Sequence, residues 1–402
     1  MSLESAYIYD GLRTPFGRHG GVLAPLRADN LLGFTIRKLI ERHPQVAPFI
    51  EEVIAGATNQ AGEDCRNVAR MAGLLSGLPV TVGGQTVNRL CGSSLAAVLD
   101  VSRALRCGEG DFYVACGVES MSRAPFVMAK AEKAFSRDVS VFDTTIGTRF
   151  PNPDLIAAFG DHSMPETAEN VARELAIGRE ACDRFAADSQ AKYQRAFEAG
   201  YFEGEIIGVE VGRGRNNPAI LVDKDEHPRP ESTFEKLSNL NPMFASGVVT
   251  AGNASGINDG ASALLLGGLS AGEKCELLPR GRILTGAISG IEPRIMGLGP
   301  VEASRKALAR AGLSLADMDV IELNEAFAAQ ALGCLQQMGV ASNDSRVNPN
   351  GGAIAMGHPL GASGARIMLT ALRQLELSGG RYGLATMCIG MGQGIALVIE
   401  RV

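Results

Sequence analysis

The chain has 402 residues, of which 46% are hydrophobic and 20% charged, a globular balance long enough for two or three domains. A net charge of −6 with no Lys/Arg run excludes the basic stripe of a nucleic-acid-binding surface. The longest apolar stretches, such as ASALLLGGL, fall far short of a bilayer-spanning helix, so no membrane partner is expected.

The opening MSLESAYIYDGLRTPFG has neither an apolar h-region nor a small-residue cleavage site, and VIERV carries no peroxisomal address. A cytoplasmic location is the expectation. AYIYDGLRTP reads as a strand, ADNLLGFTIRKLIER as a helix, EEVIAGATNQ as a strand and RNVARMAGLLSG as a helix. VNRLCGSSLAAVLDVSRAL (87–105) then runs from a small-residue turn straight into an apolar helix. Leu95, Val98, Leu99, Ser102 and Leu105 recur there at steps of three and four. Ser93 or Ser94 is expected to cap that helix. Cys91 therefore precedes a helix N-terminus, where the dipole and free N–H groups favour a thiolate and any oxyanion beside it. The competing role for such a cysteine is a small core hydrophobe. DFYVACGVES follows as a buried strand, and the alternation predicts an α/β layered domain.

From 121 to 250 the character changes to Arg, Asp, Pro and Phe with two helices, PETAENVARELA and REACDRFAADSQAKYQRAFEAG, and a loop-like DKDEHPRPES. This reads as an inserted loop domain. After NASGINDGASALLLGG the alternation resumes: a strand in RILTGAISGIEP, a helix in PVEASRKALARAGL, strand into helix in DVIELNEAFAAQALGCLQQMG, and a hairpin in YGLATMCIGMGQGIALVIER. The expected division is 1–120 plus 251–278, then 121–250, then 279–402. CGSSLAAVLDVSRALRCG…FYVACGVES echoes GHPLGASGARIMLTALRQLELSGGRYGLATMCIG: a Gly/Ser-rich turn, an apolar helix, and a strand ending in cysteine. The echo predicts two similar domains meeting face to face.

The eight cysteines (65, 91, 107, 116, 182, 275, 334, 388) form no C-x-x-C pair and only five histidines are present, so reduced thiols and no metal site are expected. Three segments join Cys91 as candidate chemistry. His358 lies in the glycine-crowded NPNGGAIAMGHPLGASGARI, Cys388 ends a strand before Gly390, Gly392 and Gly394, and Asn324 in ELNEAF stands at a helix entry. The alternative for Asn324 is a helix N-cap. Two thiols, an imidazole and an amide at element ends suit a site of the α/β kind.

As a set, NRLCGSS, NEAFA, NPNGGAIAMGHPLGASGAR and CIGMGQG resemble the thiolases, which make or cleave 3-oxoacyl-CoA thioesters, and the resemblance spans the chain in order. RTPFGRHGG, NQAGEDCRNVARMAGLL, GVESMSRAPFVM, DTTIGTRF and SMPETAEN are similar to the branch that cleaves 3-oxoadipyl-CoA with CoA to succinyl-CoA and acetyl-CoA in aromatic-compound breakdown. The resemblance implies Cys91 as the acylated nucleophile, His358 as base, Cys388 as the second thiol and Asn324 as amide donor. The N–H groups of Cys91 and Gly390 would form a further oxyanion site. TAGNASG (250–256) implicates Ser255 and Gly256 in pantetheine contact, flanked by Ala326 and Phe327, and Arg229 near the CoA adenosine phosphate. CoA is then a substrate, with no permanently bound cofactor. Also implied are a duplicated αβαβα sandwich of two mixed five-stranded sheets, a loop domain over the site, and a homotetramer built from dimers.

Cys-Gly-Ser-Ser departs from the family's Cys-Gly-Ser-Gly, and Ser163, beside His162, stands where some relatives have a histidine, leaving both without an assigned CoA contact. A distal carboxylate on the acyl chain requires a cation, for which Arg123, Arg137 and Arg149 of the insertion are candidates. Three other readings stand against this one: a non-catalytic CoA-binding protein, which has no need of two cysteines and a histidine; a ketosynthase, which needs a second histidine where Cys388 stands; and a broad-range 3-oxoacyl-CoA thiolase or acetyl-CoA acetyltransferase.

Overall fold

The computed structural model describes residues 4–212 and 218–402. The first half of the chain runs β1 (Ala6–Arg13), β2 (Gly17–Arg18), α1 (Ala28–Arg42), β3 (Ile50–Gly56), α2 (Val68–Ser76), β4 (Gly83–Val87), α3 (Ser93–Arg106) and β5 (Phe112–Ser120). Leu31, Leu32, Ile36 and Leu39 of α1 share one helical face and are buried on it. In α2 the Asn67 side chain accepts the Arg70 N–H, and left-handed Gly77 closes the other end.

The insertion contributes β6 (Phe126–Met128), β7 (Val141–Asp143), α4 (Pro153–Phe159), α5 (Met164–Glu174), α6 (Arg179–Glu198), β8 (Val209–Val211), β9 (Ile220–Val222) and α7 (Phe234–Ser238). The chain then returns through β10 (Asn258–Gly267) and α8 (Leu269–Lys274). Every residue of β10 is buried. With both faces covered, it has no alternation for periodicity to detect. The second half runs β11 (Gly281–Gly290), α9 (Gly299–Ala311), β12 (Val320–Leu323), α10 (Ala328–Met338), α11 (Ala353–Met356), α12 (Leu360–Ser378), β13 (Tyr382–Ile389) and β14 (Gln393–Arg401). No helix among the described residues is long and apolar enough to cross a membrane.

The strands lie in the order β12-β13-β14-β11-β1-β10-β5-β3-β4, with β2 on β10. The implied pair of mixed five-stranded sheets is present, with two features of its own. Ala6, Tyr7 and Ile8 of β1 pair antiparallel with Ile283, Arg282 and Gly281 of β11, so the ladder is continuous across the halves. Beside β12, where the counterpart of β4 belongs, the chain makes a single parallel bridge between Ile321 and Val347 before running into Asn- and Gly-rich backbone. With that bridge counted as the missing strand, each half has the same order: third, second, fourth, fifth, first. The repeat legible in the sequence is thus a repeat of topology.

Three cores separate five layers. One lies between α1, α2 and the first half-sheet, one around α3 and α12, and one between α9, α10 and the second half-sheet. α3 packs on β3, β5 and β14, and α12 on β5, β10, β12 and β13 as well as on α3. Ser94 through Leu99 are all buried, as the apolar run SLAAVL predicts for a helix between sheets. Where α3 and α12 cross, glycine sets the spacing. A Cβ on Gly364 would lie 2.2 Å from the Leu95 nitrogen, and one on Gly117 2.0 Å from the Gly361 carbonyl oxygen. These close approaches bring the N-termini of both helices to one place.

Candidate active site

Cys91 sits in the turn between β4 and α3. Leu90 before it has φ +44°, a left-handed conformation rare outside glycine, and its N–H donates to Asn88 Oδ1 at 3.0 Å. Ser93 Oγ accepts the Arg89 N–H at 2.9 Å and donates to the Leu90 carbonyl at 2.6 Å. Ser93 therefore closes the turn, and the expected serine cap is corrected: the N-cap is Gly92, with no side-chain cap bond. Ser94, where the family has glycine, uses its Oγ to accept the Ala365 N–H at 2.9 Å, tying α3 to α12. Gly92 is required for a different reason. A Cβ there would lie 2.6 Å from Ile389 Cδ1, so glycine lets the Cys91 turn lie against Cys388–Gly390.

Cys91 is half-buried, and the N–H groups of Gly390 and of Cys91 itself converge on its sulfur. Burial nevertheless pushes the thiol up to about 11, and the Glu119 carboxylate adds to the rise. The lowering expected from the helix end is thus opposed: desolvation raises the thiol while the two N–H groups act to lower it. Cys388, next to last in β13, is fully buried, and burial with the neighbouring Cys91 sulfur raises its thiol well above the usual range.

His358 stands between α11 and α12, where Gly357 has φ +101°. Its N–H donates to Asn258 Oδ1 at 2.8 Å. Ser363 Oγ donates to the Pro359 carbonyl at 2.9 Å, leaving its lone pair to accept from His358 Nδ1 at 2.6 Å. That chain assigns the proton to Nδ1, so the Nε2 lone pair faces the Asn324 amide Nδ2 at 3.4 Å. Burial pushes the imidazole down to about 3, and the Arg366 guanidinium acts in the same direction, so it is neutral. Asn324 is not a cap: α10 begins after Phe327, while the Asn324 N–H donates to the Thr386 carbonyl at 3.0 Å. Its Oδ1 is buried without a hydrogen-bond partner among the described residues. A buried amide oxygen left open in a polar site is a place for a water or a substrate atom.

Two residues that sequence reasoning missed hold this arrangement. Asn258 opens β10 and anchors the His358 backbone, and nothing in its sequence context separates it from an ordinary turn asparagine. Glu119, buried next to last in β5, accepts from Thr58 N (3.1 Å), Thr58 Oγ1 (2.7 Å), Asn59 N (3.1 Å) and Gly361 N (2.8 Å). Burial raises its carboxyl to about 7, while those four donors favour the carboxylate. The strand echo in the sequence needs correction here. Cys116 is mid-strand in the outer core of the first half, whereas Cys388 is next to last in its strand.

The implied CoA-contact residues fall into two groups. Ala254 bridges Phe327, Ser255 N–H donates to the Ala326 carbonyl at 2.9 Å, and Ala254, Ala326 and Phe327 share an apolar cluster with Cys388 and Met296. Gly256 lies against His227, whose Cε1 would be 2.2 Å from a Cβ there. Arg229, two residues beyond His227, is exposed; its N–H donates to Gln190 Oε1 at 2.9 Å, and its guanidinium has no ion pair among the described residues. Ser163 forms a capping box with Glu166 at the start of α5, a local role, and His162 beside it is exposed. No group of three or more His, Cys, Asp or Glu among the described residues is placed to hold a metal.

Residues 6–268 match the family profile "Thiolase, N-terminal domain" and 277–401 match "Thiolase, C-terminal domain". The chain is 56% identical over 402 residues, covering all of both chains, to the 3-oxoadipyl-CoA/3-oxo-5,6-dehydrosuberyl-CoA thiolase of Escherichia coli. It is 55% identical over 402 residues, again covering both chains fully, to a beta-ketoadipyl-CoA thiolase of Acinetobacter baylyi. Among solved structures it superposes on the Bacillus anthracis acetyl-CoA acetyltransferase with TM-score 0.93 at 34% identity, covering 100% of both chains. Against human mitochondrial 3-ketoacyl-CoA thiolase in complex with CoA the TM-score is 0.91 at 37% identity, covering 100% of this chain and 99% of that one. With both family domains matched and relatives aligned end to end, the chain belongs to the thiolase family, the acyltransferases whose fold it shares.

Proposed function

We propose that the protein cleaves 3-oxoadipyl-CoA with CoA to succinyl-CoA and acetyl-CoA, as the names of its full-length relatives suggest. The observation that supports the mechanism is the hydrogen-bond chain from His358 Nδ1 through Ser363 to the Pro359 carbonyl, which leaves the Nε2 lone pair of a neutral imidazole to act as base toward Cys91 in this reading. As the Cys91 sulfur attacks C3, its proton passes to His358, and the new oxyanion meets the N–H groups of Cys91 and Gly390. The C2–C3 bond breaks, and the acetyl-CoA enolate takes its proton from Cys388, leaving the succinyl group as a thioester on Cys91. His358 and Asn324, the latter through a water at its open Oδ1, serve the enolate oxygen. Free CoA then gives its thiol proton to the Cys388 thiolate and attacks the thioester. The Cys91 sulfur leaves and recovers its proton from His358.

Two thiols suit this sequence because one carries the acyl group while the other carries the C2 proton. Ser255, Gly256, Ala326 and Phe327 take the pantetheine arm and Arg229 the adenosine phosphate. The same reading assigns 1–120 with 251–278 to the first catalytic domain, 121–250 to the loop domain and 279–402 to the second catalytic domain. It places the enzyme in the cytoplasm as a homotetramer.

The test is product analysis with 3-oxoadipyl-CoA and CoA, beside the same assay with neutral 3-oxohexanoyl-CoA. Succinyl-CoA and acetyl-CoA should appear in equal amounts, with kcat/KM at least about tenfold above the neutral substrate, on the order of 1.4 kcal/mol. Equal rates on the two substrates would replace the acyl class with a broad-range thiolase.

A further inference from the structure

We infer that Arg149 receives the distal carboxylate of the acyl chain, an assignment that rests on the acyl class proposed above. The three arginines named from the insertion fare differently in the fold. Arg123 is committed to Glu63 through two nitrogens, at 2.6 Å from Nε and with a second contact from Nη2, and Glu63 is shared with Arg27. Arg137 lies in the fully exposed run 129–141 and has no ion pair among the described residues. Arg149 is half-buried, has no carboxylate partner among the described residues, and donates from Nη2 to the Asn59 carbonyl.

Asn59 ties that guanidinium to the nucleophile. Its N–H goes to Glu119 Oε1 at 3.1 Å, and its side-chain amide holds the Thr144 carbonyl at 2.7 Å and Thr144 Oγ1 at 3.1 Å. Thr144 Oγ1 in turn donates to the Pro125 carbonyl at 2.6 Å, so the loop carrying Arg149 is pinned at its start by Thr144 and again by Arg149 itself on Asn59. The neighbouring Thr58 carbonyl accepts from Asn88 Nδ2 at 3.1 Å, and Asn88 Oδ1 accepts the N–H of Leu90, the residue before Cys91. One peptide unit and two hydrogen bonds therefore link the Arg149 anchor to the Cys91 turn.

The chemistry fits this position. A succinyl group on Cys91 carries its carboxylate only two methylene groups beyond the thioester carbon, so its partner must come from the wall of the same pocket. The Glu119 carboxylate beneath that wall repels a second anion, which makes an unescorted carboxylate costly there. Arg149 gives one nitrogen to a carbonyl, and its remaining N–H groups form no hydrogen bond to described residues and are not sealed in the interior, leaving a fork for bidentate capture. Arg89, two residues before Cys91, is less suited: Nη1 is taken by Gln393 at 3.3 Å and Nε is sealed in without a partner.

The experiment measures kcat/KM on 3-oxoadipyl-CoA and 3-oxohexanoyl-CoA for the wild type and for Arg149→Met, Arg149→Lys, Arg123→Met and Arg89→Met. The readout is the ratio between the two substrates, which a general folding defect lowers in both terms alike. The inference expects the wild-type ratio to fall tenfold or more in Arg149→Met, chiefly through KM, to recover in part in Arg149→Lys, and to stay at the wild-type value in Arg123→Met. A wild type with no preference overturns the acyl class and this assignment with it. A wild-type preference that survives in Arg149→Met, or that collapses in Arg89→Met instead, overturns the assignment of Arg149 and leaves the acyl class standing.

Discussion

The two halves of the molecule are built from one plan and end in different chemistry. In each, a small-residue turn leads into a central helix, α3 or α12, and then into a strand, β5 or β13. The first turn presents Cys91 and the second presents His358. At the next-to-last strand position the first half places Glu119 and the second Cys388. Glu119 is bound by four donors, one of them Gly361 at the head of the opposite helix, so it serves as a structural clasp across the halves. Cys388 is buried near enough to Cys91 for that sulfur to raise its thiol further, and the proposed mechanism gives it the C2 proton. The repeated plan supplies two helix ends facing one another, and on the proposed mechanism divergence at a few positions makes one half a nucleophile and the other a base and a proton carrier.

The largest expected effect comes from removing the divergent thiol. Cys388→Ala should still be acylated by a reactive acyl donor yet lose exchange of the acetyl-CoA methyl protons with deuterated water by about 10²–10⁴-fold. Exchange at the wild-type rate would transfer the proton role to His358 or to a water.

Next comes the crossing that lets the halves meet. Gly364→Ala places a Cβ 2.2 Å from the Leu95 backbone nitrogen, which cannot yield without opening the helix pair. A stability loss of about 3 kcal/mol in denaturant titration is expected, with activity falling in parallel. A neutral substitution would mean that the crossing is looser than the contact requires.

Two imidazoles, His358 buried and His227 half-buried, give the third effect. His358 is held at about 3 and His227 at about 4, both below the unfolded value near 6.5. As pH falls through that window the unfolded chain binds protons that the folded chain refuses, so stability rises with pH and is lost on acidification. Between pH 7 and pH 5 each contributes a loss of about 2 kcal/mol. His227→Gln should therefore show a smaller drop in denaturant midpoint than the wild type over that interval. Identical drops would show that His227 titrates normally.

The smallest effect belongs to Ser94, the departure from the family's glycine. Ser94→Ala removes the Oγ that accepts the Ala365 N–H and so the tie between α3 and α12, at a cost of about 1 kcal/mol in stability and with little change in kcat. A large fall in kcat would make Ser94 part of the catalytic turn and not a tie between helices.

Much of this architecture is legible in the amino-acid sequence. α1 and α3 were marked by apolar steps of three and four, and the hairpin of β13 and β14 by two apolar runs around CIGMGQG. Cys91, His358, Asn324 and Cys388 are legible as residues at element ends, all but Asn324 with glycines beside them. What stayed hidden depends on contacts distant in sequence. Nothing local marks β10, because burial on both faces erases alternation, and nothing local marks Glu119 or Asn258, whose partners lie 242 and 100 residues away. The environment of Cys91 is legible only in part for the same reason: a helix end is visible in sequence, but the desolvation that opposes it is a property of the assembled core.

The central claim is that the first half carries the acyl group and the second half the protons. Mass mapping of the enzyme quenched after mixing with 3-oxoadipyl-CoA in the absence of free CoA tests it most directly. The account predicts one succinyl group per chain, on the peptide containing Cys91, with the Cys388 peptide unmodified. A succinyl group on Cys388, with Cys91 unmodified, would contradict it.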